Sequence, residues 1–239
     1  MANLIIDIGH TALKAAWAEG TTLGKTYRYQ GERTMDFILS ITSRERPSVM
    51  VVSTVREMTK RNETILEGEC ERLILISSRN TRILEENNLP SYLSPDRAAS
   101  VIAARHLFKD SPVTVFDLGT ILTVDYISKD GKYLGGVVSP GFMTRYKAVN
   151  RYSGKTLPLL LDMPDEIEPI GTSTESSIRT GTISGIMFEI QGQMDSHPSN
   201  ISVFTGGDAN YFAKRLKNSI FVVCNLVLMG LALIADRYE

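Results

Sequence analysis

Cysteine is scarce: Cys70 and Cys224 are the two in 239 residues. Two thiols cannot build a disulfide framework or a four-thiolate zinc site, and they fit a reducing cytoplasm. An excess of one charge is also lacking. Twenty-six Lys and Arg stand against 27 Asp and Glu, a net charge of −1, which argues against a general nucleic-acid binder that must neutralise phosphates. Long hydrophobic runs are missing too. The most apolar stretch, Ile220 to Ala235, has sixteen residues, contains Asn225 and Gly230 and is followed by Asp236-Arg237, short of the ~18–20 apolar residues of a membrane span. It reads as a strand followed by a buried helix, so no membrane partner is expected. The opening Met1-Ala2-Asn3-Leu4-Ile5-Ile6-Asp7 has no basic leader, and no signal peptide is expected. Gly-x-x-x-x-Gly-Lys-Ser/Thr does not occur, which excludes a P-loop kinase; Gly-x-Gly-x-x-Gly is likewise missing, against a dinucleotide dehydrogenase.

What is present is an alternation of apolar runs with helical patterns. Strands are expected at Asn3–Ile8, Ala12–Ala18 and Thr22–Tyr29, the last two forming a hairpin around Glu19-Gly20. A helix at Thr34–Thr42, a strand at Val49–Ser53, a helix near Glu57–Leu66 and a short strand at Leu73–Ile76 follow. Ser77 to Leu93 reads as polar and irregular. Ser94-Pro95-Asp96-Arg97 reads as a helix start, with Ser as N-cap, Pro in the first turn and an acid beside it.

At Val113 the pattern begins again: strands at Val113–Leu118, Ile121–Ile127 and Lys132–Val138. Asp7-x-Gly9-x-Thr11 and Asp117-x-Gly119-Thr120 stand 110 residues apart, each carboxylate closing an apolar strand before a glycine turn. This spacing predicts an internal duplication, with halves at 1–111 and 112–239. Helices at Phe142–Tyr152 and Ser176–Met194, a strand at Ile201–Thr205 and helices from Asp208 and Asn225 complete an α/β pattern of sheets covered by helices.

A carboxylate at a strand end followed by a glycine turn brings backbone N–H groups to phosphate oxygens, while the aspartate holds a hydrated Mg²⁺. Asp7-Ile8-Gly9-His10-Thr11, with Lys14 beyond it, has these parts; Asp117 and Gly119-Thr120 repeat them. A nucleotide gripped between two related halves is the expected ligand. Phe204-Thr205-Gly206-Gly207-Asp208 adds paired glycines at a helix start, where a flat ring can lie against backbone.

Six ordered blocks together carry a resemblance. They are Asp7-x-Gly9-x-Thr11-x-x-Lys14; Pro90 to Asp96-Arg97; Asp117-x-Gly119-Thr120-x-x-Thr123; Gly135-Gly136-x-x-x-Pro140-Gly141; Gly171-x-x-Thr174-x-x-Ser177-x-x-x-Gly181; and Thr205-Gly206-Gly207-Asp208. The chain resembles the acetate kinase, sugar kinase, Hsp70 and actin superfamily, and within it the type III pantothenate kinases. The resemblance implies two duplicated ribonuclease H-like (actin-like ATPase) domains and transfer of the ATP γ-phosphoryl group to pantothenate, opening coenzyme A synthesis. It implies ATP contacts from Asp7, Ile8, Gly9, His10, Thr11, Lys14, Gly119, Thr120, Thr123, Gly206 and Gly207. It makes Asp96 the catalytic base and places Ser94, Pro95, Asp96, Arg97, Gly141 and Thr174 on the substrate side. Asp117 corresponds to a ligand for K⁺ or NH₄⁺, Asp7 to a water-mediated ligand for Mg²⁺, and the assembly to a homodimer, with cytoplasmic localisation. A helix-spaced stripe of Phe142, Met143, Tyr146 and Val149 is the expected dimer contact.

Three positions depart from the family pattern. His10 stands where Asn is usual, Ser94 where Gly is, and Asn87 where a substrate-side Tyr would align. His10 is bulkier and titratable, Ser94 restricts the backbone beside the base, and Asn87 removes an aromatic wall. The alternative reading is a non-catalytic nucleotide-binding regulator, as expected of relatives described as transcription accessory factors.

Overall fold

The structure, a computed structural model, describes residues 2–238. It contains two compact units: residues 2–109 together with 225–238, and Asp110–Cys224.

In the first unit, β1 (Asn3–Ile8), β2 (Leu13–Glu19) and β3 (Thr22–Tyr29) form an antiparallel meander. Then come α1 (Thr34–Thr42), β4 (Val49–Thr54), α2 (Lys60–Gly68), β5 (Arg72–Ile76), α3 (Arg82–Glu86) and α4 (Pro95–Leu107). The sheet order is β3-β2-β1-β4-β5, with β4 parallel to β1 and β5 parallel to β4. Every residue of β1 and β4 is buried, which is why these strands read as continuous apolar runs rather than alternating ones. Leu4, Ile6 and Ile8 meet Met50 and Val52, and Ile38 and Ile41 of α1 cover them.

The second unit repeats the plan. β6 (Val113–Leu118), β7 (Ile121–Ile127) and β8 (Tyr133–Pro140) form the meander; α5 (Phe142–Tyr152), α6 (Thr174–Ser196), β9 (Ile201–Thr205), α7 (Ala209–Ala213) and β10 (Ile220–Val222) follow. The order is β10-β9-β6-β7-β8, with β9 parallel to β6. The two sheets therefore share strand order and direction at their centres, and the expected duplication is a property of the fold. On α6, Ile183, Ile186, Ile190 and Met194 form the inward stripe. With Phe142 and Tyr146 of α5 they cover Phe116, Leu122, Val124 and Phe204, where the rings of Phe116 and Phe204 lie 5.0 Å apart.

The structure differs from the sequence expectations in four places. The helix α8 (Leu226–Asp236) groups with the first unit, packing on α4 and β1, so the second unit does not run to the end of the chain as a 112–239 half would. This helix is apolar nearly all round and buries most of its surface; such a pattern says that it is covered but not by what. The segment from Ser77 to Leu93 holds the short α3 instead of being wholly irregular. The helix expected near Glu57 begins at Lys60, because Thr59 accepts from Asn62 N–H at 3.2 Å and caps it there. The stripe expected to face a second subunit turns inward: Phe142 and Tyr146 are each 1% exposed within their own unit. Cys224 is exposed, whereas Cys70 is buried and its thiol is pushed up to about 11 by that burial.

Candidate active site

The two strand-end aspartates occupy equivalent places. Asp7 is the fifth residue of β1, the central strand of its sheet, between Lys14 on β2 and Ser53 on β4. Asp117 is the fifth residue of β6, also central, between Thr123 on β7 and Thr205 on β9. A central strand is buried on both sides, so a carboxylate there stands on a rigid base and only its open end can meet a ligand.

Asp7 is buried, and its Oδ1 accepts from the Ser53 hydroxyl at 3.2 Å. After it the chain turns sharply, with Gly9 N–H donating to the Ala12 carbonyl at 3.0 Å. His10 and Thr11 are exposed at the tip. One contributor was not anticipated: Arg56, in the turn after β4, donates from Nε to the Gly9 carbonyl at 2.9 Å and from Nη2 to the His10 carbonyl at 2.8 Å. No local pattern marks it, since it lies 46 residues from His10 in sequence.

Asp117 is followed by Gly119-Thr120, a turn closed by Gly119 N–H to the Ile121 carbonyl at 3.3 Å. Two glycines press against this strand end. Gly206 has φ +93°, and a Cβ on it would lie 2.5 Å from Asp117 Oδ1 and 2.4 Å from the Leu118 carbonyl oxygen. A Cβ on Gly141 would lie 1.9 Å from the Gly119 carbonyl oxygen, and Gly141 N–H donates to the Thr120 carbonyl at 3.1 Å. Gly141, Gly206 and the Gly119-Thr120 turn are thus brought together around Asp117, with any larger residue excluded by contact. Gly207 follows, and Asp208 N–H donates to the Leu118 carbonyl at 2.9 Å. Burial lifts the Asp208 carboxyl to about 6. On β7, the Thr123 hydroxyl is buried with no hydrogen-bond partner among the described residues, the kind of orphaned oxygen that a ligand satisfies.

Asp96 sits in the first turn of the thirteen-residue α4, half-buried, and its Oδ1 accepts from Arg97 N–H at 2.9 Å. Pro95 starts the helix as expected. Ser94 occupies the N-cap position, but its side chain makes no capping bond. Thr174 is the exposed first residue of α6, preceded by a reciprocal capping box between Ser173 and Ser176.

Among the described residues no cluster of three or more His, Cys, Asp and Glu is arranged to hold a metal by itself. The oxygen donors present, a buried carboxylate at Asp7 and a carboxylate with a neighbouring orphan hydroxyl at Asp117 and Thr123, suit a hard cation that keeps waters and binds largely through phosphate. No helix among the described residues is long and apolar enough to cross a membrane.

Two like sheets, each ending its central strand in an aspartate before a glycine turn, define an actin-like ATPase fold of the sugar-kinase kind. An activator of 2-hydroxyisocaproyl-CoA dehydratase from Clostridium difficile, solved with bound ADPNP, shares it with a TM-score of 0.57 at 13% identity, covering all of this chain and 95% of that one. A Baf family protein from Campylobacter jejuni shares it with a TM-score of 0.66 at 21% identity, covering 98% of each chain. The family model described as type III pantothenate kinase matches residues 3–196. A protein of that name from Cytophaga hutchinsonii is 35% identical over 236 residues, 96% of each chain. The chain belongs to the type III pantothenate kinase family.

Proposed function

We propose that this chain transfers the γ-phosphoryl group of ATP to the primary hydroxyl of pantothenate, giving 4′-phosphopantothenate, the first step of coenzyme A synthesis. The observation that carries the nucleotide half is the matched placement of Asp7 and Asp117 on the central strands of two like sheets. Family membership carries the acceptor half.

In this reading the turn from Asp7 through Ile8, Gly9, His10 and Thr11 receives phosphate oxygens, with Lys14 beside Asp7 adding positive charge. Gly119, Thr120 and Thr123 serve the same purpose in the second unit, and Gly206-Gly207 takes the adenosine end. Asp96 accepts the proton of the acceptor hydroxyl, and Arg97 offers a positive charge on the acceptor side. The hydroxyl oxygen bonds to the γ-phosphorus as the bond to the β,γ-bridging oxygen breaks, and ADP leaves with that electron pair. Such transfer is mostly positioning and charge neutralisation, so a modest set of residues suffices. Asp7 would hold a hydrated Mg²⁺, which would supply neutralisation of the phosphate charge. Asp117 and the Thr123 hydroxyl are the donors for a K⁺ or NH₄⁺ ion. Ser94, Pro95, Gly141 and Thr174 belong to the acceptor side.

We also read the chain as a homodimer. The stripe on α5 no longer supports that, but exposed apolar side chains do: Leu134 and Val138 on the edge strand β8, and Phe188 on α6, which is 75% exposed. Light scattering should give about 53 kDa, twice the 26.5 kDa chain; a fully active monomer contradicts it.

The test of the reaction is ADP release by the purified protein with and without pantothenate. Release that depends on pantothenate supports the proposal. Release that ignores it, or none at all, points to the regulator alternative.

A further inference from the structure

After α8, Arg237 reaches α3: its Nη1 donates to Asn87 Oδ1 at 2.7 Å. Asn87 ends α3 and has its other polar groups engaged as well. Its Nδ2 donates to the Ile83 carbonyl at 2.7 Å, and its own carbonyl accepts from Arg105 Nη1 of α4 at 2.8 Å. Arg105 is half-buried, and loss of water holds its guanidinium below the ordinary arginine value. A bond from such a group to a carbonyl is costly to break, because water does not fully replace it. Next to Arg237, the Tyr238 hydroxyl donates to Glu86. The Arg72 guanidinium lies over the Tyr238 ring, 4.7 Å from its centre, and donates to the Tyr238 carbonyl at 3.2 Å. Residues 237 and 238 therefore tie α3 to β5 at one side and, through Asn87, to α4 at the other.

The place of this knot along α4 gives it a consequence. Arg105 lies nine residues beyond Asp96 on the same helix, about 13 Å at 1.5 Å per residue. The connection from Asn87 to Ser94 must run back along α4 from the level of Arg105 to its first turn. Leu89 and Leu93 anchor it inward, and Leu89 N–H donates to the Leu84 carbonyl at 2.8 Å. Its two ends are thus Asn87, held by Arg237 and Arg105, and Ser94, the residue that sets the entry to the Asp96 turn.

We propose that Arg237 is a positioning residue for the acceptor substrate: by holding Asn87 it fixes the 87–94 connection and, with it, the approach to Asp96. This rests on the reading of Asp96 as the base that faces the acceptor. It also gives Asn87 a positive use where the family pattern has an aromatic residue: its short amide offers an acceptor to Arg237 and a donor to Ile83 together.

The experiment compares wild type, Arg237→Ala and Arg237→Lys by steady-state kinetics, thermal melting and amide hydrogen exchange over residues 88–94. Arg237→Ala should raise the KM for pantothenate roughly three- to tenfold, the size of one charge-assisted bond. The KM for ATP should stay put, the Tm should hold within about 2 °C, and exchange over 88–94 should quicken. Arg237→Lys, which keeps a donor, should recover part of the KM. Unchanged exchange, an unchanged pantothenate KM, or both KM values rising together with a fall in Tm would each overturn the proposal. A wild type that does not phosphorylate pantothenate defeats the functional reading instead, and the exchange comparison then still decides whether Arg237 holds the connection.

Discussion

Arg56 Nη2 donates to the carbonyl of His10 at 2.8 Å, and its Nε to that of Gly9 at 2.9 Å. In a planar trans peptide the N–H points opposite to the C=O. Fixing these two carbonyls therefore aims the N–H groups of His10 and Thr11 away from Arg56, which is the orientation a phosphate-binding turn needs. Arg56→Ala should weaken ATP binding about tenfold, the worth of two charge-assisted bonds partly replaced by water, with the KM for pantothenate little changed. Calorimetric titration of ATP checks this; unaltered affinity would remove Arg56 from the site.

Asp96→Asn keeps the shape of the first turn of α4 and removes the carboxylate proposed to accept the proton. Turnover should fall by roughly 10²–10⁴-fold, the usual share of a general base, while ATP binds as before. Full activity in the Asn variant would end the assignment.

Much of this was legible in the residues. β1 and β6 announce themselves as apolar runs ending in Asp-x-Gly, and their equal spacing exposes the duplication before any coordinates. Other features depend on long-range contact and leave no local mark. The five-residue α3 is too short to show an apolar period: it buries only Ile83 and Leu84, and Arg105 and Arg237 hold Asn87 at its end. Arg56 meets a loop far away in sequence. For Phe142 and Tyr146 the pattern gave the right face of α5 and the wrong neighbour, since periodicity identifies a buried stripe but not what buries it.

Asp117 and Thr123 predict an ion requirement. Activity should depend on K⁺ or NH₄⁺ as well as Mg²⁺, with Na⁺ a poor substitute, and Asp117→Ala should lose most of the response. Equal rates in Na⁺-only and K⁺ buffers would contradict a monovalent site.

Asp208 predicts a pH dependence of stability. Its carboxyl is lifted by burial from 3.8 to about 6, so folding favours the neutral form. The stabilisation this provides is complete below about 4 and is lost as the pH rises through about 6. Asp208→Asn stays neutral throughout. At pH 7.5 it should be more stable than wild type by about 1–2 kcal/mol, the full effect of that rise discounted for partial solvent exposure, and the gain should shrink towards pH 4. Denaturant midpoints at the two pH values measure it; an equal gain at both would mean that ionisation is not the cause.

The most direct measurement is product analysis of a single incubation with ATP, Mg²⁺, K⁺ and pantothenate, read by phosphorus NMR and mass spectrometry. The account predicts one phosphoryl group on the primary hydroxyl of pantothenate, formed in step with ADP and absent with Asp96→Asn. Unmodified pantothenate beside intact ATP, or a phosphoryl group formed equally well by the Asn variant, would contradict it.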